Sequence, residues 1–395
     1  MNGGAYILVL NGGSSSLKFA LFKDNEHNCV GRGIIAEIGK KARFSCKGPQ
    51  FEGKYPPDVA GCDSPGSATK ILLKWLEEAV PPGELLAVGH RVVHGRDFKE
   101  HMVVRPHILA YLNTLIPLAP LHQPFNVEVI ERVLEVYPKV PQIACFDTAF
   151  HATIPSLHRR YAIPRIWDEK GVRRYGFHGL SYEYISGRLR EVSPRAYNGR
   201  AVVAHMGNGA SLCALDKGKS FDTSMGFSVL EGLVMGTRPG NLDVGVLLYF
   251  MREAKLDEKA IERMLYHDSG LKGVSGITSD MSELLSSREP AAREAVDLFC
   301  LRATREIGAF ISMLGGVDAL VFTGGIGENA APIRSQIVSS FSWLGVTLDE
   351  EKNAAPGSGE VLLSTPQSRI EVWLIPTNEE AVIARNARRL AETAG

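Results

Sequence analysis

The sequence predicts an α/β protein of two domains that share one strand pattern. Its 395 residues exceed one typical domain. Short apolar segments of strand length alternate with helical periodicities. A strand, a polar glycine-containing turn and a second strand occur at residues 6–22 and again at 201–215, which indicates a duplication. The identities at a fixed offset are Gly12, Ser16 and Leu17 in the first copy and Gly207, Ser211 and Leu212 in the second.

Composition narrows the class of protein. The chain has 44 basic and 44 acidic residues, so it offers no bulk basic surface for nucleic acid. Its 45% hydrophobic content is that of an ordinary globular protein. The apolar runs are too short to cross a membrane, and no basic segment precedes the first of them as in a secretory signal. We therefore expect no membrane partner and no export.

The cysteines indicate a reducing compartment. They are scattered and include no C-x-x-C pair, which argues against a disulfide framework and against a zinc site. The six are Cys29, Cys46, Cys62, Cys145, Cys213 and Cys300. A cytoplasmic protein is the simplest expectation.

The first strand pair carries an unusual connection. Tyr6–Leu10 and Phe19–Phe22 are apolar and predict a β-hairpin around Asn11-Gly-Gly-Ser-Ser-Ser-Leu-Lys18. Two glycines let backbone N–H groups approach a ligand, and the hydroxyls and Lys18 suit a phosphate. No Walker pattern is present. An ordinary Gly/Ser turn remains the alternative on composition alone.

An arginine between histidines follows the next predicted strand. Helical spacing covers residues 67–80 and ends at Pro81-Pro82-Gly83, and a short strand at 85–88 leads into Gly89-His-Arg-Val-Val-His-Gly95. This arrangement can present the Arg91 guanidinium to a small anion. A metal site formed by its two histidines is not favoured, because the segment looks extended and lacks an H-E-x-x-H pattern.

A carboxylate follows another buried strand. Three prolines predict an irregular segment at 116–124, and a helix is expected at about 126–137. The strand at 142–146 ends at Asp147, where open α/β sheets place functional groups. A helix N-cap is an equally good interpretation of this aspartate.

The second half repeats the strand-and-glycine pattern. His178 lies in a glycine-flanked segment beside two arginines; a lone histidine is usually structural, but this setting favours function. A strand at 201–206 leads into a glycine turn, and Arg238 stands alone in another turn. Residues 268–280 are rich in glycine and serine and predict a loop.

The last third alternates helix and strand. Residues 290–314 predict a long helix ended by Gly315-Gly316. A strand at 317–322 precedes a third glycine loop at 323–329, and Pro332 suggests a helix start. A Rossmann interpretation fits poorly, because no acidic partner of a βαβ unit is evident.

The chain closes with a strand and a helix. The strand is expected at 372–375, and the helix runs to near residue 390 with Thr377 and Asn378 as good N-caps. Glu379 could simply serve the helix dipole in the first turn.

Many short motifs, in order along nearly the whole chain, resemble the acetate and propionate kinase family. Any one of them alone would be weak. They are Asn11–Lys18, Gly89–Gly95, Pro120–Pro124, Phe146–His151, Arg174–Gly179, His205–Gly209, Met235–Arg238, Phe322–Asn329 and Pro376–Glu380.

The resemblance implies two duplicated RNase H-like domains of the actin, sugar kinase and chaperone ATPase superfamily, with an active-site cleft between them. The first domain would comprise residues 1–150, completed by the C-terminal helix at about 380–395. Residues 151–379 would form the second, nucleotide-binding domain. Members of the family are homodimers.

The implied reaction is a reversible, Mg²⁺-dependent, direct in-line transfer of the ATP γ-phosphoryl group to acetate, giving acetyl phosphate and ADP; Mn²⁺ could replace Mg²⁺. A propionate or butyrate kinase of the same fold is the alternative. A non-catalytic nucleotide-binding regulator is a third possibility, but such a protein has no need of a carboxylate-binding site.

The resemblance also implies roles for individual residues. Asn11 and Glu379 would help to place the metal, and Arg91 would bind the substrate carboxylate. Arg238 would stabilise the transferring phosphoryl group, and His178 would donate a hydrogen bond to it. The apolar end of the acyl pocket would be formed by Val93, Leu121 and Phe177. The nucleotide would be bound by Lys18, His205, Met206, Gly207, Asn208, Gly209, Asp280, Met281, Ser282, Gly325, Ile326, Gly327, Glu328 and Asn329.

Asp147 matches the catalytic aspartate of the family. A carboxylic acid substrate is already ionised at neutral pH, so the reaction hardly needs a general base. We therefore expect Asp147 to orient Arg91 or metal-bound water.

Three positions depart from the family pattern. Val229 replaces a usual proline, which leaves the preference between acetate and propionate open. Ser282 replaces a usual arginine, which puts one nucleotide contact in doubt. Pro239 replaces a usual serine and stiffens the turn after Arg238.

Overall fold

The computed structural model describes residues 5–81 and 83–394. Contacts divide them into two compact units: unit 1 runs through Ala152 and resumes at Asn378, and unit 2 is Thr153–Thr377. The sequence placed this division at residues 150 and 151. The nucleotide-binding role of the second unit stays a prediction.

Thirteen strands are present among the described residues. They are β1 (Tyr6–Gly12), β2 (Ser16–Lys23), β3 (Cys29–Ala36), β4 (Arg43–Lys47), β5 (Leu85–Val92), β6 (Met102–Val103), β7 (Gln142–Phe146), β8 (Arg200–Met206), β9 (Ala210–Asp216), β10 (Lys219–Thr223), β11 (Ala319–Thr323), β12 (Val361–Leu362) and β13 (Glu371–Leu374).

The described residues also form fifteen α-helices. They are α1 (Pro65–Leu76), α2 (Pro106–Thr114), α3 (Gln123–Val136), α4 (Arg165–Glu169), α5 (Gly179–Val192), α6 (Pro194–Asn198), α7 (Val244–Arg252), α8 (Glu258–His267), α9 (Gly270–Ser275), α10 (Met281–Ser286), α11 (Pro290–Leu314), α12 (Gly324–Asn329), α13 (Ala331–Ser339), α14 (Glu350–Ala354) and α15 (Glu379–Ala394). Short 3₁₀ segments lie at Pro49–Phe51, Ile116–Leu118, Ala149–Thr153 and Ser342–Leu344.

The two units share one sheet topology. The unit 1 sheet has the order β4-β3-β2-β1-β5-β7-β6, and the unit 2 sheet has the order β10-β9-β8-β11-β13-β12. In each, an antiparallel hairpin is followed by two strands that run parallel to its first strand. This match confirms the predicted fold class of two duplicated α/β domains.

The duplication lies in the topology more than in the matched residues. Gly12 pairs with Leu17 across β1 and β2. In the second copy, Leu212 instead pairs with Ala204, and the turn is closed by Met206 and Ala210. The three identities at a fixed offset therefore do not occupy the same register positions.

Alternating side chains of β1 build a core on each face of the unit 1 sheet. Leu8 and Leu10 belong to a buried cluster with Leu72, Trp75 and other residues of α1 and α3. Ile7 and Val9, which point the opposite way, are also buried. The helix α15 packs against β1, β5 and β7.

Close packing of α15 depends on a glycine in β5. A Cβ at Gly89 would lie 2.5 Å from Ile383 Cγ2. The packing brings the helix, and the acidic residues in its first turn, onto the same three strands whose carboxyl ends carry predicted site residues.

Several predicted boundaries need correction. The helix expected at 67–80 is α1, which begins at Pro65 because the Ser64 hydroxyl accepts the Ser67 N–H at 3.2 Å, and ends at Leu76. The irregular segment expected at 116–124 contains a 3₁₀ turn, and α3 begins within it at Gln123. Pro124 is tolerated there because the first helical turn needs no N–H donors.

Two predicted loops are partly helical. The third glycine loop is the end of β11 followed by α12, in which Gly324 begins the helix at φ 78°. The segment 268–280 contains α9, ended by Gly276 in the left-handed conformation. By contrast, α11 has the predicted bounds, and Gly315 ends it at φ 71°.

Within residues 5–81 and 83–394, none of the helices combines the length and apolar character needed to cross a bilayer.

Candidate active site

Three predicted site residues lie at neighbouring strand ends in unit 1. Leu10 of β1 is in register with His90 of β5, so Asn11 and Arg91 follow at the same edge. Arg91 is in turn in register with Cys145 of β7, and the Asp147 N–H donates to Val92 O at 3.0 Å. The carboxyl ends of parallel strands are where such sheets gather functional groups.

Arg91 and Asp147 form a two-point ion pair. Arg91 Nε donates to Asp147 Oδ1 at 3.2 Å, and Nη2 donates to Oδ2 at 2.6 Å. The nearest Glu379 carboxylate oxygen lies 3.7 Å from Arg91 Nε. Burial acts to lower the pKa of Arg91, but the charges of Asp147 and Glu379 outweigh it and raise that pKa. Asp147 therefore orients a permanently charged guanidinium, which favours that role over a helix cap.

Asn378, the residue before Glu379, caps the last helix. Asn378 Oδ1 accepts the Ala381 N–H at 3.1 Å and so caps the start of α15. Among the described residues no three or more histidines, cysteines or acids cluster as a metal site. The oxygen donors of Asn11 and Glu379 nonetheless fit Mg²⁺, which usually takes one or two carboxylates and completes its shell with phosphate and water.

Two buried amides that the sequence did not single out fix these strand ends. Asn126 Nδ2 donates to Gly12 O at 2.8 Å, while its Oδ1 accepts the Val93 N–H at 3.0 Å. Gln123 Oε1 accepts the His94 N–H at 3.3 Å, and its Nε2 donates to His94 O at 3.1 Å. The proline-bounded motif containing Gln123 was the available signal, but only the fold shows what it holds.

The two histidines beside Arg91 serve the core. His90 Nε2 lies 2.8 Å from the Gln142 side-chain amide inside the sheet. Burial lowers the pKa of His90 to about 4, so it is neutral at physiological pH. His94 Nδ1 accepts the Arg96 N–H at 3.0 Å. Each of the two rings therefore has a hydrogen-bond partner within unit 1.

The predicted acyl-pocket residues fall in both units. Val93 directly follows β5, two positions after Arg91, and is 5% exposed. Leu121 is half-buried in the connection between α2 and α3. Phe177 belongs to unit 2, is buried, and directly precedes His178.

His178 is held by buried hydroxyls. It lies at the start of α5 with φ 57°, a left-handed conformation uncommon for a residue with a side chain. Its Nδ1 lies 2.8 Å from Ser211 Oγ, which is also hydrogen-bonded to the Tyr182 hydroxyl. The His178 ring stacks on His205 with centroids 4.3 Å apart. Together these contacts fix the direction of the Nε2 atom.

Arg238 is a half-buried cation without an acidic partner in the described part of the chain. Its Nη1 donates to Val229 O at 2.8 Å. Burial lowers the pKa of Arg238 to about 10; the one charge that opposes this is Tyr266, and no carboxylate contributes. Because an unneutralised buried charge is costly, such a guanidinium is suited to an anionic ligand.

Arg238 and His178 converge on Gly209. A Cβ at this position would lie 2.7 Å from Arg238 Nη2 and 3.3 Å from His178 Nε2. Only glycine leaves both groups in place there. Two donors that the sequence places sixty residues apart therefore meet beside the second glycine turn.

A cavity of about 620 Å³ in unit 2 brings together three predicted nucleotide-binding segments. It is lined by Gly207, Asn208, Ser279, Asp280, Met281, Ser282, Leu285, Gly325, Ile326, Asn329, Ala330 and Pro332. A Cβ at Gly236 would lie 1.9 Å from Asn208 Oδ1, so this glycine makes room for Asn208 at the cavity wall.

Some predicted nucleotide-binding residues have structural partners instead of lining this cavity. Glu328 Oε1 accepts the N–H groups of Gly324, at 2.9 Å, and Thr377, at 3.1 Å. Met206 and Gly327 are buried. Lys18 is exposed on β2 in unit 1, in register with Asn11.

Two cavity residues also support the local backbone. Asp280 Oδ1 accepts the N–H groups of Ser282, at 2.8 Å, and Glu283, at 3.1 Å, and so caps α10. Asn329 Nδ2 donates to Gly325 O at 2.8 Å. Both residues shape the wall of the cavity as well as facing it.

Comparison with known proteins agrees with these features. The model of the acetokinase family matches residues 6–385. An acetate kinase of Rhodopseudomonas palustris is 47% identical over 392 residues, covering 98% of each chain. A propionate kinase structure from Francisella tularensis superposes with a TM-score of 0.89 at 36% identity, covering 98% of this chain and all of that one.

A Porphyromonas gingivalis acetate kinase structure has a TM-score of 0.86 at 33% identity, covering 98% of this chain and 99% of the other. The family match spans both units and every predicted motif. The chain therefore belongs to the acetokinase family.

Proposed function

We propose that this chain catalyses the reversible transfer of the ATP γ-phosphoryl group to acetate, giving acetyl phosphate and ADP. The observation that carries the proposal is the convergence of Arg238 Nη2 and His178 Nε2 on Gly209, next to the cavity wall at Gly207 and Asn208. Two hydrogen-bond donors at the edge of this cavity suit a phosphoryl group whose outer oxygens carry negative charge during transfer.

The acceptor carboxylate would be bound by Arg91. Its guanidinium is held by Asp147, and further donors remain for a second carboxylate. Because acetate is ionised at neutral pH, Asp147 does not need to remove a proton. Asp147 would act by orienting Arg91, and Val93 would limit the length of the acyl chain.

Asn11 and Glu379 would hold a divalent cation, Mg²⁺ or Mn²⁺. When bound, the cation supplies positive charge that neutralises the nucleotide phosphates. The chain's own contribution is to present two oxygen donors at the edge that also carries Arg91.

A propionate kinase is the second candidate, since one related structure carries that name. Discrimination between acids that differ by one methylene is worth only about 1–3 kcal/mol. The two activities are separated by comparing kcat/KM for formate, acetate, propionate and butyrate.

The direct test traps the product. Purified protein is incubated with ATP, Mg²⁺ and one short acid, and acyl phosphate is captured with hydroxylamine as the hydroxamate. We expect acetate to give the highest kcat/KM. Nucleotide binding without hydroxamate from any of the four acids would instead identify a nucleotide-binding regulator.

We also propose a homodimer, with a second copy of the chain covering α7. This helix has no buried residue, although its side chains are largely apolar. Val244 is 73% exposed and Tyr249 60% exposed. Such a surface on a soluble monomer is unfavourable. Light scattering should give the mass of two chains, and Leu248→Asp should give the mass of one.

A reducing, cytoplasmic location is part of the proposal. None of the six cysteines, all of which lie in the described part of the chain, forms a disulfide, as expected where thiols are kept reduced. Cell fractionation with an antibody to the chain tests this location.

A further inference from the structure

Arg174, from the motif that contains His178, fixes a nearby loop rather than facing the cavity. The segment 223–231, which begins at the last residue of β10, is called the 223–231 loop. Arg174 Nη1 donates to three successive carbonyls of this loop, at 2.9 Å, 3.2 Å and 3.1 Å. Its Nη2 donates to Glu231 Oε1, at the far end of the loop, at 2.6 Å. One side chain therefore holds both ends of the loop.

The Tyr161 hydroxyl also holds the 223–231 loop in place. Its hydroxyl donates to Glu231 Oε2 and accepts the Phe227 N–H, the latter at 2.8 Å. A Cβ at Gly226 would lie 1.6 Å from Glu231 Oε2 and 2.1 Å from the Tyr161 oxygen. The loop therefore packs directly under this hydrogen bond, and glycine is required there.

The 223–231 loop is hydrogen-bonded both to the Arg238 side chain and to the backbone just before His178. Val229 O accepts the Arg238 Nη1 donor at 2.8 Å. On the other side, Gly226 O accepts the N–H groups of Tyr175, at 3.0 Å, and Gly176, at 3.3 Å, just before His178. A shift of the loop would move Arg238 and His178 relative to each other.

Stability alone is a weak reason for this arrangement. The side chains of Arg174 and Glu231 are only 17% and 31% exposed, so pairing them costs desolvation. Replacing such pairs with apolar residues is often neutral or stabilising. A positioning role accounts for the cost, because errors of about 1 Å in a phosphoryl-transfer site can reduce the rate about 100-fold.

We propose that Arg174, Glu231 and Tyr161 form a positioning network that sets the relative placement of Arg238 and His178 through the 223–231 loop. The inference rests on the proposed phosphotransferase function. None of the three is a catalytic residue in this scheme.

The first test separates rate from binding. Glu231→Gln and Arg174→Lys should each lower kcat about 10- to 100-fold, with KM for ATP and acetate within about twofold of wild type. Tyr161→Phe should cause a smaller loss, because Arg174 still holds both loop ends.

A matched control comes from the Arg188–Glu360 pair in the same unit, whose side chains are 26% and 21% exposed. Glu360→Gln removes a comparable ion pair away from the 223–231 loop. We expect it to change the melting temperature as much as Glu231→Gln does, while leaving kcat unchanged.

A second test asks whether the losses of activity caused by changing Glu231 and Arg238 are additive. If Glu231 acts through Arg238, Glu231→Gln should cost little further activity in an Arg238→Ala background, measured as hydroxamate accumulated over hours. Full additivity of the two losses would argue for an independent structural effect.

The outcomes distinguish the two proposals. A wild-type protein that forms no acyl phosphate would overturn the proposed function, and the positioning network with it. An active wild type whose kcat survives Glu231→Gln and Arg174→Lys would overturn the network alone. A loss of kcat equal to that of Glu360→Gln would likewise reduce the network to a structural role.

Discussion

Asp147 meets the side of the Arg91 guanidinium with both carboxylate oxygens, at 3.2 Å from Nε and 2.6 Å from Nη2. Arg91 lies in β5 and Asp147 directly follows β7, and they meet because these neighbouring parallel strands end together. Asp147 is 1% exposed, so its charge has little competition from water. The pair is therefore a fixed, oriented donor for a second anion.

Asp147→Asn keeps the shape of this pair but removes its charge. Only the amide oxygen can accept a guanidinium hydrogen bond, because the amide nitrogen is a donor, so the contact through two separate acceptor atoms is lost and Arg91 loses its fixed direction. We expect kcat to fall by at least about 100-fold, as when a preorganised charged group is removed. Steady-state kinetics by the hydroxamate assay measures it. Near-normal kcat in this variant would exclude an essential role for Asp147.

Val93→Ala should widen the acyl pocket. Loss of two methyl groups beside the Arg91 strand end should raise the kcat/KM ratio of propionate to acetate about 10-fold. Val88→Ala, at a fully buried valine of β5, is the matched control and should lower stability without moving the ratio. An unchanged ratio in Val93→Ala would place the acyl pocket elsewhere.

Gly236→Ala should weaken nucleotide binding. The new methyl group would occupy the position of Asn208 Oδ1 and push that side chain from the cavity wall. We expect KM for ATP to rise about 10-fold, consistent with about 1.4 kcal/mol of lost contacts. Gly187→Ala in α5, where an added Cβ would have nothing within 4 Å except its chain neighbours and the helix's own backbone, should leave KM unchanged. Calorimetric titration with ADP gives an independent measure.

Ser282→Arg should strengthen nucleotide binding. Ser282 lines the cavity and is exposed, so an arginine there has room to reach the ligand. A lower KM for ATP, by about 3- to 10-fold, is expected from one added charge-assisted contact. Ser286→Arg, one turn along α10 and outside the cavity lining, adds the same charge as a control. Equal effects of both variants would indicate general electrostatics instead of a local contact.

Acid should destabilise the protein through His90. Burial lowers the pKa of His90 from 6.5 to about 4, so the unfolded chain takes up a proton at higher pH than the folded one. Stability is full above pH 6.5 and falls as the pH drops toward 4, by on the order of 3 kcal/mol. Urea unfolding across this range measures the slope.

His90→Asn should flatten that slope, whatever it does to stability at pH 7. His27→Gln alters a side chain that is 80% exposed and should leave the slope as it is in wild type. His94, whose pKa burial and Arg96 lower to about 3, should contribute in the same direction. A slope that persists in His90→Asn would assign the acid sensitivity to other groups.

The sequence by itself determined the local elements and the chemistry they carry. The strand at 142–146 and the helix at 290–314 were predicted with the bounds they have, because a short apolar run, helical periodicity and the Gly315-Gly316 pair after the helix are local signals. The duplication was also visible, through the repeated hairpin pattern. The third glycine-rich segment was predicted as a loop, but Gly324–Asn329 is helical, and its Glu328 carboxylate accepts the N–H groups of Gly324 and of the distant Thr377.

Only the tertiary structure decided which residues act together. Arg91 and Asp147 are brought together by strand order, and Asn126 fixes the ends of β1 and β5 through two hydrogen bonds that no sequence spacing encodes. The same holds for Arg238 and His178, which meet at Gly209 because the hairpin β8–β9 and the 223–231 loop place them there. Periodicity is a property of neighbouring residues, whereas these contacts depend on sheet order and side-chain packing across long chain separations.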